Sequence, residues 1–426
     1  MKLSIFKYLK SSLIRGSLVY SGFNVLNSTL PFLLIPFLTR MLNTDDYGRI
    51  SMITIFVTFV SPIVGLSTNS IVSKNYFQVD FDYFKQTVQS VFIILFVSIL
   101  SIAGISYFLK EQLFYFTGVN STDLLICLLL SGTQFVITLV NSIFQMESKP
   151  FHFGVLQLSQ TLINTSLTIY FIYFLNYGWH GRIYGWIIAN FLIAILGLFI
   201  LFNKSYFKEF KFRTIIVKEV LAYSLPIIPY TLSGMLVSLS DRFLVNKFLG
   251  SSYVGIFTLG LQISGVLNIV FTSLNSAFVP WVYKKISKNE SLNYLLGSFY
   301  IFSLIMVLIS FVFLGSIYVF LDFFVGIKFA QIGGVVHIFI LSNLFNSIYL
   351  IFTNYFIYKG DTKILAYNTL IVTILNIPIC YLFINYFHFE GAIWSSMITS
   401  VFSLVLVLIS AHKLYKFPWF HPITKF

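Results

Sequence analysis

Long apolar runs divide this sequence, and each run is long enough to cross a lipid bilayer. A helix needs about 20 mostly apolar residues to span the hydrocarbon core, and only helices or closed barrels satisfy their backbone groups in lipid. Runs such as residues 91–105 and 301–313 are continuously apolar, whereas barrel strands alternate over about 10 residues. Only 10% of residues are charged, against about 25% in soluble domains. The sequence therefore predicts an all-α polytopic membrane protein.

We predict about twelve transmembrane helices from these runs. Their cores are residues 17–39, 50–73, 87–109, 122–145, 154–176, 183–202, 221–247, 253–279, 293–320, 332–357, 364–384 and 391–412. No connection is long enough for a soluble domain. Residues 1–15 lead directly into the first span without a small-residue cleavage site, so we expect them in the mature chain.

Lysine and arginine are distributed unevenly over the predicted connections. One side carries 20 of the 27 basic residues: Lys2, Lys7, Lys10, Arg15, Lys74, Lys85, Lys149, Lys204, Lys208, Lys211, Arg213, Lys218, Lys284, Lys285, Lys288, Lys359, Lys363, Lys413, Lys416 and Lys425. The other side carries seven: Arg40, Arg49, Lys110, Arg182, Arg242, Lys247 and Lys328. Because basic residues stay cytoplasmic, we expect both termini in the cytoplasm. The net charge of +13 then reports topology rather than nucleic-acid binding.

The longest cytoplasmic connection divides the chain into two halves. We predict an N-terminal six-helix bundle over residues 1–202, a cytoplasmic linker over 203–220, and a C-terminal six-helix bundle with a short cytoplasmic tail over 221–426. A weak internal similarity supports this division, because a leucine and a glycine stand six apart after the first helix of each half (Leu42 and Gly48, Leu249 and Gly255). Six spans per half predict a parallel repeat about an axis along the membrane normal.

The first helix of each half is predicted to be interrupted by a pair of prolines. These are Pro31 and Pro36 in the first half, and Pro226 and Pro229 in the second. Interrupted helices in corresponding places point to the hinges and substrate site of a transporter. Proline in a membrane helix is also a common packing kink, and both interpretations stay open.

Amide and hydroxyl side chains recur at helical spacing within many spans, so that they share helix faces. They include Asn24, Asn27 and Ser28; Gln134 and Asn141; Gln157, Gln160 and Asn164; Asn268 and Asn275; and Asn343 and Asn346. Such groups either join helices through hydrogen bonds or line a wet cavity that binds sugars. Their number on separate helices favours the cavity for the set as a whole, whereas for any single residue helix joining is the favoured interpretation. Asn24, Asn27, Asn268 and Asn275 are the candidate substrate-binding residues.

Charged and titratable residues are rare inside the spans, and each is a candidate for function. Asp241 and Arg242 are adjacent and point about 100° apart on a helix, so each needs its own partner. Arg242 suits phosphate oxygens, or it extends to the interface. His337 is a candidate for proton coupling, with a structural hydrogen bond as the alternative. Arg15 and Lys218 are candidates for meeting an anionic headgroup, although orientation alone also explains them.

The sequence shows no motif for covalent catalysis or metal binding. It contains no phosphate-binding GxxxxGK[ST] loop and no HExxH zinc motif. Cys127 and Cys380 stand apart inside spans, which predicts buried thiols rather than a metal site. Asp45 and Asp46 lie in the first outer loop, where acidic residues would suit a glycosyltransferase, but the segment also reads as an ordinary turn.

Residues 27–48, NSTLPFLLIPFLTRMLNTDDYG, resemble the N-terminal signature of bacterial polysaccharide-repeat-unit flippases of the O-antigen type. These belong to the multidrug/oligosaccharidyl-lipid/polysaccharide exporter superfamily. The second half is similar to the family in Ser224-Leu225-Pro226-Ile227-Ile228-Pro229, in Ser240-Asp241-Arg242-Phe243, and in the residues from Phe248 to Gly255. Asn43 departs from the pattern, where the family has glycine.

This resemblance implies two six-helix bundles in a V around a central cavity. It also implies a flippase, not an enzyme, that moves undecaprenyl-diphosphate-linked oligosaccharides from the cytoplasmic to the periplasmic leaflet for O-antigen, lipopolysaccharide or capsule synthesis. The family acts by alternating access in the bacterial inner membrane, without a bound cofactor, and couples transport to a proton or sodium gradient. A polysaccharide polymerase and a chain-length regulator are the expected protein partners.

Two rival functions remain open. A drug/cation antiporter of the same superfamily would need intramembrane carboxylates, for which Asp241 is the one plausible acidic residue well within a span. A polyprenyl-dependent membrane glycosyltransferase or polymerase would need a long outer loop with acidic and basic residues, and no predicted connection offers one.

Overall fold

The computed structural model describes residues 12–108, 111, 121–209, 213–288 and 290–419, and these residues form helices and turns without a strand. The helices are α1 (Ser12–Met41), α2 (Thr44–Val64), α3 (Asn69–Gln78), α4 (Phe81–Phe108), α5 (Ser121–Met146), α6 (Pro150–Ile169), α7 (Gly178–Asn203), α8 (Thr214–Ser224), α9 (Ile227–Leu249), α10 (Ser251–Ser287), α11 (Leu292–Phe324), α12 (Val336–Lys359) and α13 (Thr362–Tyr415). A π-helical turn, Tyr170–Phe174, extends α6, and a 3-10 helix, Ile327–Gly334, precedes α12. The all-α fold class is confirmed.

Nine helices in the described ranges are long and apolar enough to cross a membrane. One of them, α13, has 54 residues, or about 81 Å if straight, which far exceeds the hydrocarbon thickness of about 30 Å. His388 leaves helical geometry with φ 51°, and Gly391 lies against the carbonyl of Phe383. The chain therefore reverses there, and α13 is a hairpin of two membrane-length arms, residues 362–387 and 389–415. Counting both arms and adding the more polar helices α6 and α9 gives the twelve predicted spans.

The second predicted span, residues 50–73, is not one continuous helix. Helix α2 ends at Val64 and α3 begins at Asn69, with positive φ angles of 46° at Leu66 and 53° at Ser67. Thr68 Oγ1 donates to the carbonyl of Gly65 at 2.7 Å. Short polar side chains that bond to nearby backbone compete with helical hydrogen bonds in this way.

The prolines act differently in the two halves. Helix α1 continues through Pro31 and Pro36, so the predicted interruption is wrong there, because membrane helices accommodate proline when neighbouring groups satisfy the backbone. In the second half the helix is interrupted: α8 ends before Pro226 and α9 begins after it. Pro229 lies in the first turn of α9, where a missing N–H costs little.

The described residues form two compact units. The first contains the chain up to Leu42 and Arg49–Met235, and the second contains Asn43–Gly48 and Leu236–Phe426. In the first unit α6 packs against α1 and α7, and α5 packs against α7; in the second unit α12 packs against α10, α11 and α13. The boundaries predicted at residues 202 and 221 stay a prediction.

The two glycines of the internal similarity lie in one close helix crossing within the second unit. A Cβ on Gly48 would collide with the carbonyl of Ser251, and a Cβ on Gly255 would collide with the carbonyl of Thr44. Glycine is needed where two backbones approach this closely. Nearby, Ser251 Oγ bonds to Asp45 Oδ1, and Asn43 Oδ1 accepts from the backbone N–H of Asp46 at 2.7 Å. Asp45 and Asp46 therefore lie in the first turn of α2, where acidic residues are favoured.

Candidate functional site

The second unit contains a buried carboxylate, Asp241, at the centre of a hydrogen-bond network. Asn376 Nδ2 donates to Asp241 Oδ1 at 2.8 Å, and Ser396 Oγ donates to Oδ2 at 3.3 Å. Thr399 Oγ1 donates to Asn376 Oδ1 at 2.8 Å and so fixes the orientation of that amide. We call Asp241, Asn376, Ser396 and Thr399 the carboxylate network; it joins α9 to both arms of α13.

Arg242 has its own partners, separate from those of Asp241. Its Nε donates to Thr258 Oγ1 of α10 at 3.2 Å, and its Nη1 donates to Ser238 Oγ and, at 3.3 Å, to the Ser238 carbonyl. Arg242 is partly exposed, and its Nη2 makes no hydrogen bond to any described residue. The guanidinium is thus held in place while one face keeps donors for an anion.

The first unit has a buried polar network without a carboxylate. Gln160 Nε2 on α6 donates to Gln134 Oε1 on α5 at 3.0 Å and to Asn190 Oδ1 on α7 at 2.7 Å. Asn190 Nδ2 donates to Gln134 Oε1 at 3.3 Å and closes the group. We call Gln134, Gln160 and Asn190 the amide network. Three hydrogen bonds join its members, as expected for helix association in lipid.

The first unit also has an arginine within a helix, Arg182 of α7. Its Nη1 donates to Asn164 Oδ1 at 2.8 Å and to Thr168 Oγ1 at 3.0 Å, both on α6. Asn164 follows Gln160 by one helical turn, so α6 has the polar face that the sequence predicts. The side chains on this face form hydrogen bonds to neighbouring helices.

The remaining predicted asparagines lie on two helices, Asn24 and Asn27 on α1 and Asn268 and Asn275 on α10. Asn27 accepts from Thr161 Oγ1 in the first unit, and Asn275 accepts from Asn354 Nδ2 at 2.8 Å in the second. Asn24 and Asn268 are exposed. For Asn27 and Asn275 these contacts favour helix joining, whereas Asn24 and Asn268 remain available to a ligand.

Of the other candidates, Lys218 is exposed on α8, and Arg15 lies on α1 with its side chain outside the described part. His337 begins α12, and its Nδ1 is buried without a hydrogen-bond partner among the described residues. The structural hydrogen bond that the sequence offered as the alternative for this nitrogen is therefore not found. The roles of these residues stay predictions.

Sequence reasoning missed the partners of the buried acid. Asn376, Ser396 and Thr399 each lie in an apolar run and were not among the candidates. A polar residue that interrupts such a run is a signal, but its pairing with Asp241 spans 135 residues in the case of Asn376. Among the described residues no group of three His, Cys, Asp or Glu side chains could hold a metal ion.

The membrane-length helices define a class, the polytopic helical membrane proteins, and solved structures of transporters share this fold. An inward-facing multidrug resistance MATE family transporter of the MOP superfamily matches with a TM-score of 0.70 and 14% identity, covering 92% of this chain and 96% of that one. Lipid II flippase MurJ in an inward closed conformation matches with a TM-score of 0.71 and 16% identity, covering 92% and 87%. These structural neighbours are transporters and a flippase rather than enzymes.

The sequence also matches the family model described as "Polysaccharide biosynthesis protein" over residues 13–284, and the chain belongs to this family. It is 26% identical to an "Uncharacterized membrane protein" of Haemophilus influenzae, over 85% of this chain and 88% of that protein. It is 23% identical to "Lsg locus putative protein 1" of the same organism, over 91% and 96%. The resemblance found in the sequence is thereby confirmed at the level of family and fold.

Proposed function

We propose that this protein is a flippase that moves undecaprenyl-diphosphate-linked oligosaccharides from the cytoplasmic to the periplasmic leaflet of a bacterial inner membrane. The product would serve O-antigen or capsule synthesis, with a polysaccharide polymerase as a later partner. Membership of the polysaccharide biosynthesis family is the observation that carries this proposal. The fold shared with a lipid II flippase supports it.

In this proposal Arg242 holds a phosphate of the substrate. The free Nη2 on an anchored guanidinium is suited to a phosphate oxygen. Lys218 and Arg15 attract the anionic headgroup at the cytoplasmic face, and Asn24 and Asn268 meet sugar hydroxyls. Asp241 supplies the intramembrane acid, and His337 offers a second titratable group for coupling to a proton or sodium gradient. The units would move relative to one another at Pro31, Pro36, Pro226 and Pro229, giving alternating access.

A drug/cation antiporter is the second candidate function. The specific observation in its favour is the buried carboxylate network, because a charge at membrane depth is costly and is usually kept for ion or substrate traffic. The match to a multidrug transporter supports the fold of this candidate and no more. An antiporter would exchange a small cation for protons or sodium and would leave lipid-linked sugars in place.

Deletion of the gene in its native strain, followed by analysis of surface glycan and of the lipid fraction, tests the proposal. A flippase predicts loss of the glycan and accumulation of an intact lipid-linked oligosaccharide. An antiporter predicts normal glycan and increased sensitivity to cationic drugs. Reconstitution provides the direct test: a fluorescent lipid-linked diphosphate sugar should reach the opposite leaflet of proteoliposomes chemically unchanged. A new glycosidic bond made by the purified protein would contradict transport without chemistry.

A further inference from the structure

A polar cavity of about 280 Å³ lies in the first unit, between the start of α4 and the segment that follows α7. The distribution of basic residues predicts that this end of the unit faces the cytoplasm. The cavity is outside the two buried networks described above. Its size fits a small polar group rather than a whole oligosaccharide.

The floor of the cavity contains an amide oxygen without a partner among the described residues. Gln86 is more than nine-tenths buried, and its Oε1 accepts no hydrogen bond from any described residue. Its neighbour on the floor, Gln89, donates its Nε2 to the carbonyl of Tyr206 at 2.9 Å. A buried acceptor without a donor is costly, so Gln86 calls for a ligand that brings an N–H or O–H group.

The rim of the cavity carries two cations that no described residue pairs with. Lys208 and Arg213 are exposed, and within the described chain their side chains have no ion pair or hydrogen bond. Lys85, in contrast, is paired with Asp82 at 3.2 Å and lies over the ring of Phe81 at 4.8 Å. The two free cations are suited to a phosphate, with Arg213 able to form a bidentate contact.

The same rim also offers a negative charge. The carboxylate of Asp80 is exposed, and its side chain contacts no described partner. Asp80 and Gln86 both line the cavity, and their oxygens are suited to a cation that can donate hydrogen bonds. A cavity with free groups of both signs matches a zwitterion better than a simple anion, which Asp80 would repel.

Exposed aromatic residues beside the cavity indicate a membrane surface. Phe77 is 72% exposed and Phe81 is 55% exposed, and they flank Asp80 in the sequence. Large aromatic side chains that stay exposed at the end of a membrane helix are typical of the lipid–water interface. A ligand in this cavity can therefore have its polar group in the cavity and its chains in the bilayer.

We propose that this cavity binds the headgroup of a phospholipid that carries a primary ammonium on its phosphate, as phosphatidylethanolamine does. The phosphate accepts hydrogen bonds from Arg213 and Lys208, and the ammonium donates to Gln86 Oε1 and Asp80. A choline headgroup has no N–H and cannot satisfy Gln86, and a glycerol headgroup has no positive charge for Asp80. The site is therefore selective among phospholipids.

Lipid retention by the intact, purified protein tests this proposal. The protein is exposed to equimolar phosphatidylethanolamine, phosphatidylcholine and phosphatidylglycerol, and bound lipid is counted by native mass spectrometry. We expect phosphatidylethanolamine to be retained about tenfold over the other two, which corresponds to about 1.4 kcal/mol. Gln86→Met and Arg213→Gln should each remove this preference, whereas Lys284→Gln, an exposed charge change in the second unit, should keep it. Arg213 is exposed, so we expect Arg213→Gln to fold. This variant therefore tests the proposal even if Gln86→Met does not fold.

Equal retention of the three lipids, or a preference unchanged in Arg213→Gln, would overturn the proposal. Competition by a soluble headgroup distinguishes a membrane lipid from a soluble phosphoester as the ligand. Glycerophosphoethanolamine that competes only at concentrations far above those of the lipid supports a membrane ligand. Glycerophosphoethanolamine that competes as well as the lipid would overturn the lipid source and assign the cavity to a soluble phosphoester. Because lipid retention is measured without transport, its result is independent of the proposed flippase activity.

Discussion

The amide network of the first unit and the carboxylate network of the second each join three helical segments and differ in chemistry. Gln134, Gln160 and Asn190 are neutral and are joined by three hydrogen bonds. Asp241 is an acid that Asn376 and Ser396 support. Neutral amide bonds between membrane helices contribute about 0.6 kcal/mol each, whereas an ionisable group at membrane depth costs several times that. From this difference we propose that the first network joins helices and the second has a role in transport.

The two arginines show a similar contrast. Arg182 and Arg242 both lie near helix ends predicted to face the periplasm, and each is anchored by residues of its own unit. Arg182 donates to an amide and a hydroxyl of one helix, α6. Arg242 lies one residue from the buried acid and keeps Nη2 free of described partners. Variants of Asp241 and Arg242, compared with variants of Asn190 and Arg182, therefore test which polar side chains only join helices and which take part in transport.

The largest expected effect comes from Asp241→Asn. This change keeps the shape of the side chain but removes the charge that Asn376 and Ser396 support. Hydrogen bonds to a charged group contribute about 2 kcal/mol, so we expect transport in proteoliposomes to fall about 30-fold. The matched variant Asn190→Leu removes a polar group from the amide network and should retain at least about half of the activity. If Asp241→Asn transports normally at normal abundance, the functional distinction between the two networks is lost.

The second test replaces the arginines. In Arg242→Ala the free guanidinium donors are lost, and we expect glycan export to fall about tenfold, with Arg242→Gln similar and Arg242→Lys intermediate because lysine keeps the charge without the bidentate geometry. Arg182→Gln should export nearly normally. Surface glycan normalised to membrane abundance provides the measurement. Full activity of Arg242→Lys together with mild loss in Arg242→Gln would instead show that Arg242 only extends to the interface.

The sequence predicts the helices of this protein well because a chain in lipid has few structures that satisfy its backbone hydrogen bonds. An apolar run of about 20 residues must be helical to satisfy its backbone, so α4, α5 and α7 follow from composition alone. The break at residues 65–68 depends instead on local bonds such as that of Thr68 to Gly65. Hydropathy averages over a window and does not detect a break of this kind.

The site is predictable in part, for the same physical reason. Asp241 and Arg242 stand out because charge in a span is rare and costly. Their partners do not stand out, since Asn376 and Thr258 are ordinary polar residues whose role depends on which helices pack together. Likewise the face of α6 with Gln160 is visible as spacing, but its partner Asn190 is 30 residues away.

A third test measures what the amide network contributes to stability. Gln160→Leu removes the donor of two hydrogen bonds and leaves Gln134 and Asn190 joined to each other. At about 0.6 kcal/mol for each bond, we expect the free energy of unfolding in mixed micelles to fall by about 1 kcal/mol. Transport corrected for folded protein should stay near normal. A loss of transport without a loss of stability would give the first unit a direct role and would contradict the contrast with the second.

The smallest expected effect concerns charges outside the membrane spans. Glu147 lies between α5 and α6, where Lys149 Nζ approaches its Oε2 at 2.8 Å and Lys204 Nζ binds its Oε1. Burial acts to raise the pKa of Glu147, but the hydrogen bonds from Lys149 and Lys204 outweigh burial and hold the pKa below its ordinary value of 4.5. A carboxyl with a lowered folded-state pKa stabilises the protein above its unfolded-state pKa, and this contribution is lost as the pH falls through the folded-state value.

Glu147→Gln should therefore lower the free energy of unfolding by a few tenths to about 1 kcal/mol near neutral pH, the range of partly exposed ion pairs. The deficit relative to the wild-type protein should be constant down to about pH 5. It should begin to shrink as the pH falls below 4.5, where the unfolded-state carboxyl takes up a proton, and should disappear below the lowered folded-state pKa, where the folded carboxyl is neutral as well. Glu290→Gln is the matched control in the second unit, because Lys285 is 3.4 Å from Glu290 and the pair is more exposed; its effect should be smaller. A Glu147→Gln deficit that persists unchanged below the folded-state pKa would show that packing of the side chain, not its charge, provides the stability.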